Sequence, residues 1–176
     1  MNYFELFNLS FQFDVDVEAI AGTYRDLQRA VHPDKFAHQG ERQKLLAVQK
    51  SAEVNDAYQT LKNPLLRALY MLAEQGVDIQ LEQKTLQDPI FLMQQMEFRE
   101  QLEDISQMDE GDEQDQLIAS FENSIKRLTA DYYCQLGTLL VSSCKVSLEN
   151  AAIVVRKLKF MNKLSDELER LEETIL

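Results

Sequence analysis

The chain has 176 residues, of which 45% are apolar, and its formal net charge at pH 7 is −12. Gly and Pro are few and Trp is absent, a composition that favours helix. No apolar run approaches the roughly 18 residues of a membrane span, and the amino terminus lacks a signal or transit pattern, so we expect a cytoplasmic protein. Residues 1–75 carry 8 basic and 10 acidic side chains, whereas residues 76–176 carry 10 and 20. This acidity disfavours nucleic acid as a partner and favours a basic partner for the second half.

The first two helices are predicted from apolar spacing and from one proline. A short aromatic helix is expected over Asn2–Leu9, and a longer one follows whose apolar residues recur at i, i+3 and i+7. Pro33 disfavours helical geometry at the residue before it, so the second helix should end near Val31. Either Asp14 or Asp16 is placed to cap its start.

Two further helices complete the first half of the chain. Helical spacing resumes at Glu41 and continues to Leu61. Asn63-Pro64 combines a capping residue with a proline suited to the first helical position, so a fourth helix is expected there. Gly76 is a natural stop for this helix.

The second half is predicted to form a three-helix bundle. Asp88-Pro89 repeats the cap-and-proline pattern and opens a helix to about Gln107. A second helix runs from about Glu113, and Ser147 is expected to cap the last one. The last helix carries an apolar seam typical of antiparallel packing. Its members are Val154, Met161, Leu168 and Ile175, with Leu164 and Leu171 between them.

These elements predict an all-α chain with a domain over residues 1–76, a connector over 77–87 and a bundle over 88–176. No sustained alternation of apolar and polar residues indicates a strand. The two cysteines, Cys134 and Cys144, have no neighbouring Cys or His that would complete a tetrahedral metal site. We therefore expect both to be reduced and structural, and we expect no metal or other cofactor.

The tripeptide His32-Pro33-Asp34 lies in the loop between the second and third helices. Pro and Asp are common in turns, so the plain interpretation is an ordinary turn. The alternative is a recognition site, because a loop with a fixed proline angle presents its histidine and aspartate rigidly to a partner. Arg25 and Arg29 on the preceding helix, with Lys35 after the loop, would give this site a positive border.

Residues on both sides of this loop follow one known pattern. They are Tyr3-Phe4-Glu5-Leu6-Phe7, Tyr24-Arg25-Asp26-Leu27, His32-Pro33-Asp34-Lys35-Phe36, then Val54, Asn55, Ala57, Tyr58, Leu61, Pro64, Arg67 and Tyr70. Together they resemble the J domain, in which the His-Pro-Asp loop and the basic face of the second helix dock on the ATPase domain of a heat-shock chaperone. The resemblance implies that Asp34 makes a charged contact with that chaperone and that His32 and Pro33 shape the loop. It implies that Arg25, Arg29 and Lys35 steer the encounter.

The second half departs from the general folding co-chaperones of this family. Those proteins continue into Gly/Phe-rich linkers and zinc-binding CxxCxGxG repeats, and this sequence contains neither. The second half is therefore expected to specify a different client. The alternative is a J-protein that serves unfolded clients generally through a coiled-coil-like tail.

The first bundle helix is apolar on more than one face. At about 100° per residue, Phe98, Leu102 and Ile105 fall within about 40° of Phe91, and these four residues form a core face. A second group points away from that core: Leu92, Met93 and Met96. One interpretation is that the J domain packs over this second face. The other is an exposed client-binding patch, for which flexible methionines are suited.

A mostly acidic segment follows these apolar residues along the chain. Residues 97–115 hold nine acidic side chains and one basic, Arg99. This segment is either a solvated face and loop or a rim complementary to a basic client. Phe160, in the last helix, lies about a quarter-turn off the apolar seam, where it either flanks the same patch or completes the core.

Four segments spread over the chain carry a narrower resemblance. They are HPDKFA, LKNPLLRALYML, DPIFLMQQMEFREQLEDI and VRKLKFMNKL. The chain resembles the HscB-type J-domain co-chaperones of iron–sulfur cluster assembly. That family binds an iron–sulfur scaffold protein through its C-terminal bundle and delivers it to an HscA-type chaperone, promoting cluster transfer and protein maturation. Eukaryotic members often carry an N-terminal cysteine pair for metal, and its absence here favours a bacterial type.

The resemblance assigns the second-half residues one by one. Leu92, Met93, Met96 and Phe160 match the apolar scaffold-contact positions. Glu97, Arg99 and Glu100 match the flanking charged positions, and Asp104 matches a further acidic position where the family can carry the longer glutamate.

An enzyme is the remaining alternative. It would need His32, Asp34 and His38, or the carboxylates near residue 100. The histidines lack a third fixed ligand or a nucleophile, and the carboxylates show no pocket pattern, so we expect a protein that is not an enzyme.

Overall fold

The computed structural model of the chain describes residues 1–36, 40–77, 79, 88–109 and 111–175. These residues form seven α-helices and one 3-10 turn, and the described part contains no strand, so the all-α prediction is confirmed. They divide into two compact units, Met1–Gly76 and Val77–Leu176. Most of the predicted connector, residues 77–87, lies outside the described residues. Among the helices that the structure describes, none could span a membrane.

The first helix is shorter than predicted. Helix α1 covers Tyr3–Leu6, because Asn2 caps its start and the chain leaves helical geometry at Phe7, followed by a positive φ of 54° at Asn8. Phe4 and Phe7 are buried, so this single turn anchors the aromatic residues in the core of the first unit.

The second and third helices form an antiparallel hairpin. Helix α2 covers Val17–Val31, with Asp16 as its cap, and helix α3 covers Glu41–Lys62. The Asp16 carboxylate accepts hydrogen bonds from the backbone N–H groups of Glu18 and Ala19, at 2.9 and 3.1 Å. The ends of α2 agree with the positions predicted from Asp16 and Pro33.

Helix α4, Pro64–Glu74, closes the first unit. Its Asn63 cap accepts from two backbone N–H groups, and the chain leaves the helix through Gly76, whose φ of +82° favours glycine. The Tyr70 ring stacks on Tyr3 at 4.5 Å, and the Tyr70 oxygen accepts a hydrogen bond from the Tyr3 backbone N–H. These contacts tie α4 to α1.

The second unit contains the three predicted bundle helices. They are α5, Pro89–Gln107, α6, Asp112–Leu139, and α7, Lys145–Ile175. Most of the predicted α7 seam is buried, namely Val154, Met161, Leu164 and Leu168, with Leu171 half-buried. The side chain of Ile175 lies outside the described part of the chain.

The start of α7 corrects one prediction. The helix begins at Lys145, and the Cys144 carbonyl accepts from the Leu148 N–H, so Cys144 is the cap and Ser147 lies inside the first turn. The prediction that Ser147 caps the helix is therefore wrong. Cys134 and Cys144 form no disulfide and both are exposed, so neither belongs to the buried core. Hydrogen bonds with Ser147 and Ser142 lower the pKa of the Cys144 thiol to about 7.

Candidate functional site

The described part of the loop after α2, residues 32–36, is a tight turn held by its own backbone. His32 ends α2 with φ −59° and ψ 127°, the extended geometry required before a proline. The 3-10 turn Pro33–Phe36 follows and packs on α3. The Lys35 N–H donates to the His32 carbonyl at 3.0 Å, and the Asp34 N–H donates to His32 Nδ1 at 3.3 Å. Side chains of Pro33 and Phe36 lie outside the described part of the chain.

The charged groups of this loop face solvent. The His32 and Asp34 side chains are 54% and 90% exposed, and His32 Nδ1 lies 3.5 Å from Asp34 Oδ2. A carboxylate so exposed keeps its hydration and is available to a cationic partner.

Basic residues of α2 and the loop accompany the His-Pro-Asp turn. Arg25 and Lys35 are exposed, and Arg29 is exposed with an ion pair of 3.7 Å to Asp26. Such exposed pairs contribute little to stability. We call these residues the loop surface: His32, Pro33, Asp34, Lys35, Arg25 and Arg29.

One aromatic pair and one polar pair brace the hairpin that presents the loop surface. The Tyr24 and Tyr58 rings stack with centroids 4.1 Å apart. The Gln28 amide donates to the Ser51 carbonyl at 3.2 Å and accepts from the Ser51 hydroxyl at 3.0 Å. These contacts join α2 to the middle and the second half of α3 and hold the two helices of the hairpin together.

Helix α5 buries one face and exposes another. Phe91 and Ile105 are buried and the other two predicted core residues, Phe98 and Leu102, are half-buried. On the far side, Leu92, Met93 and Met96 are 43%, 63% and 72% exposed. The structure therefore holds three adjacent apolar side chains in solvent, and we call them the α5 patch.

Phe160 links α5 to α7. Its ring is half-buried and meets the Phe91 ring edge-on with centroids 5.6 Å apart. The Arg99 guanidinium lies over the same ring at 5.9 Å, and it forms an ion pair with Glu167 at 3.4 Å. Phe160 thus contributes to the bundle core and still keeps part of its ring exposed.

An ion pair joins the first turn of α5 to α7. The Asp88 carboxylate caps α5 by accepting from the Phe91 N–H, and it accepts from Lys157 Nζ at 2.6 Å. Hydrogen bonds from Lys157 and then from Phe91 lower the pKa of Asp88 from its ordinary value. Lys157 also lies over the rings of Phe91, at 5.1 Å, and of Tyr132 on α6, at 5.9 Å. Lys157 therefore contacts all three helices beneath the α5 patch.

The acidic segment borders the α5 patch with exposed carboxylates. Glu97, Glu100 and Asp104 on α5 are all exposed. The other described acidic residues of 97–115 are exposed too, namely Glu103, Asp109, Asp112, Glu113 and Asp115, whereas Glu110 lies outside the described residues. In the described part of the chain, no cluster of His, Cys, Asp and Glu is arranged to hold a metal ion. His38, which the enzyme alternative required, is outside that part.

Sequence reasoning missed two features of this unit. Ile90 is 73% exposed, and its spacing of three from Met93 would have placed it off the core face on a helical wheel. The Asp88–Lys157 pair had no local signal, because its partners are 69 residues apart.

Comparison with known protein families agrees with these two units. Residues 2–70 match the family described as the DnaJ domain. Residues 87–169 match the family described as the HscB C-terminal oligomerisation domain.

Curated relatives and solved structures match over the whole chain. A co-chaperone protein HscB homolog of Photobacterium profundum is 55% identical over 174 residues, covering 99% of this chain and 98% of the relative. A homolog of Shewanella pealeana is 51% identical, covering 100% and 99%.

Two solved structures share the fold. The chaperone HscB from Vibrio cholerae has 42% identity, a TM-score of 0.85 and full coverage of both chains. The human co-chaperone protein HscB has 27% identity and a TM-score of 0.86, covering 100% of this chain and 84% of that one. With its J-domain unit and HscB-type C-terminal unit on one chain, the protein belongs to the HscB family of co-chaperones, which acts in iron–sulfur cluster assembly.

Proposed function

We propose that the loop surface docks on the ATPase domain of an HscA-type heat-shock chaperone and stimulates its ATP hydrolysis. The Asp34 carboxylate, 90% exposed at the end of a braced hairpin, is the group best placed for a charged contact. Arg25, Arg29 and Lys35 supply positive charge around it, which speeds encounter with a negative partner.

We propose that the α5 patch, with Phe160, binds an iron–sulfur scaffold protein. The observation that carries this proposal is the exposure of Leu92, Met93 and Met96 on a helix whose opposite face is buried. Contiguous exposed apolar groups usually mark an interaction site, and methionines adapt well to a partner surface. Glu97, Arg99, Glu100 and Asp104 form a charged rim beside the patch.

In this role the protein is not an enzyme and holds no resident cofactor, and we propose that it works in a bacterial cytoplasm. The chaperone carries out ATP hydrolysis, and this chain contributes two recognition surfaces. We further propose residues 1–76 as the J domain, 77–87 as a connector and 88–176 as the scaffold-binding bundle. A fragment of residues 1–76 should then fold, stimulate the chaperone weakly and fail to bind the scaffold.

One experiment tests the central proposal. Turnover of the purified HscA-type chaperone is measured with this protein, with the scaffold, and with both. We expect stimulation by this protein alone and a larger stimulation with both, because a client held on the bundle raises its effective concentration at the chaperone. Stimulation that is unchanged by a scaffold at saturating concentration would contradict the scaffold half of the proposal.

The general J-protein alternative predicts a different set of partners. A pulldown with the full chain should recover one scaffold and one chaperone under the present proposal. Recovery of many unfolded chains, with the scaffold no more abundant than the rest, would favour the general alternative.

A further inference from the structure

The amino-terminal turn of α5 carries a fourth exposed apolar side chain. Ile90 is the second residue of the helix and is 73% exposed, more than Leu92, Met93 or Met96. Four of the first eight residues of α5 are thus large apolar side chains in solvent. Ile90 and Met93 are three positions apart, and residues at i and i+3 are neighbours on a helix surface, so the α5 patch continues toward the helix start.

Helical geometry shows how these side chains are arranged around α5. At about 100° per residue from Phe91, Leu92 lies at about 100°, Met96 at about 140°, Met93 at about 200° and Ile90 at about 260°. The apolar surface therefore wraps about 160° of the helix circumference on the side away from the core.

Phe160 marks one edge of that arc. Arg99, at about 80° on the same wheel, lies over the Phe160 ring, so α7 borders the Leu92 side of α5. Ile90 lies at the opposite edge. A flat partner surface could not touch both Phe160 and Ile90, because the exposed face of the helix curves between them.

The turn that bears Ile90 is held rigidly. Asp88 caps it at the Phe91 N–H, Pro89 fixes the next backbone angle, and Lys157 bonds Asp88 at 2.6 Å. The Phe91 ring is packed against Phe160. Because the backbone of this turn is already ordered, only the side chain of Ile90 has to lose conformational freedom on binding, which favours it as a contact residue.

Single exposed apolar side chains are ordinary on protein surfaces. Val146 is such a residue, since it is the second residue of α7 and is 65% exposed. Ile90 differs from Val146 because three exposed apolar side chains follow it within two turns of the same helix. Contiguity of this kind, and not exposure alone, marks an interaction surface.

We propose that Ile90 is a contact residue for the iron–sulfur scaffold protein, and that the scaffold receives the amino-terminal end of α5 in a concave apolar groove. This inference rests on the proposed function of the α5 patch. It adds Ile90 to that surface, and it predicts the shape of the binding groove on the scaffold. The groove has two apolar walls, one that contacts Leu92 and Phe160 and one that contacts Ile90.

The test uses the full-length protein and the purified cluster-free scaffold. Ile90→Ala is expected to weaken scaffold binding by about fivefold to tenfold, because a branched side chain loses its buried contact. Ile90→Lys should weaken it further, since a charge would enter an apolar wall. The matched control, Val146→Ala, removes an equally placed apolar side chain and should leave the dissociation constant unchanged.

A second readout reports contact without a mutation. With isoleucine δ1-methyl labelling, the Ile90 methyl signal should shift on scaffold addition, whereas the signal of buried Ile118 should stay in place. The comparison variant replaces Leu92, Met93 and Met96 by Ala. If that variant binds the scaffold weakly, while both Ile90 variants bind normally and the Ile90 methyl signal does not shift, this inference is overturned. If that triple replacement has no effect either, the proposed scaffold surface is itself wrong, and the inference is lost with it.

Discussion

The loop surface and the α5 patch are recognition surfaces of opposite kinds. The loop surface depends on a backbone turn that points a few exposed charges at solvent, with Asp34 at its centre. The α5 patch depends on side-chain volume, since Leu92, Met93 and Met96 share the exposed side of one helix. A surface built on one charge should fail with one substitution, whereas a surface built on apolar area should weaken by degrees.

Charge separates the two surfaces as well. Basic residues flank the His-Pro-Asp turn, whereas carboxylates of residues 97–115 border the α5 patch. Two partners of opposite surface charge can therefore be told apart before any close contact forms, because long-range fields bias the first encounter. This contrast makes each surface separately testable.

The largest effect is expected from Asp34→Asn. The change removes one charge and keeps the shape, so stimulation of chaperone turnover should fall at least tenfold, while scaffold binding stays unchanged. Stability should change by less than about 0.5 kcal/mol, because the side chain is exposed. Turnover at saturating chaperone and helical circular dichroism are measured together.

Asp56→Asn is the matched control for that substitution. Asp56 is an exposed aspartate on α3 of the same unit, so its replacement makes the same chemical change away from the loop. Equal loss of stimulation in both variants would point to net charge, and full stimulation by Asp34→Asn would remove the loop from the mechanism.

A graded effect is expected for the α5 patch. Replacing Leu92, Met93 and Met96 together by Ala should weaken scaffold binding by more than tenfold, because interface hot spots lose on the order of 2 kcal/mol on truncation. Thermal stability should fall little, since these side chains are exposed. Calorimetric titration and thermal unfolding distinguish the outcomes: a much lower melting temperature with normal binding would identify an internal packing surface.

The sequence predicted both surfaces for different reasons. Pro33 fixes the end of α2, and the cap-and-proline pair at Asp88-Pro89 fixes the start of α5, so local chemistry was sufficient for both boundaries. The exposed face of α5 followed from helical periodicity once Phe91 was assigned to the core. Helix ends and exposed faces can therefore be predicted from nearby residues where a proline or a regular apolar spacing determines the local structure.

The missed features depend on contacts that no local rule reports. Lys157 meets Asp88 across 69 positions, and the pairing depends on how α7 packs beside α5. Ser147 had the chemistry of a cap, yet the cap lies three residues earlier, at Cys144, because the Cys144 carbonyl accepts the first helical hydrogen bond. Capping residues are common enough that packing decides which one is used.

A smaller effect on the α5 patch is expected from the ion pair beneath it. Lys157→Met removes the bond that ties the first turn of α5 to α7, so scaffold binding should weaken several-fold and the urea midpoint should fall. Lys145→Met is the control, since the ion pair of Lys145 with Glu149 on the same helix is exposed and long, at 3.9 Å. Equal behaviour of the two variants would show that Lys157 has no special role.

The pH dependence of this ion pair has a defined sign. The folded-state pKa of Asp88 is lowered, so its ionised form stabilises the fold above about pH 4, and this stabilisation is lost as pH falls through the folded pKa. The stability gap between wild type and Lys157→Met should therefore be constant above about pH 5 and narrow in more acidic solution. Urea unfolding across this range checks the trend, and a gap that widens in acid would contradict it.

The smallest effect is expected from the acidic rim, and it tests the charge contrast directly. Glu97→Lys and Glu100→Lys change exposed side chains, so they should slow scaffold association about threefold each while leaving dissociation nearly unchanged. The wild-type complex should weaken as salt rises from low to physiological strength, since exposed charges are screened beyond about 8–10 Å. Asp56→Lys makes the same charge change on the other unit and should have no such effect, which stopped-flow measurements at several salt concentrations can establish. Steering by charge acts on the association rate, so it must be visible there if it contributes to recognition. An association rate that does not depend on salt and is unchanged in both rim variants would therefore leave the apolar patch as the sole determinant of binding.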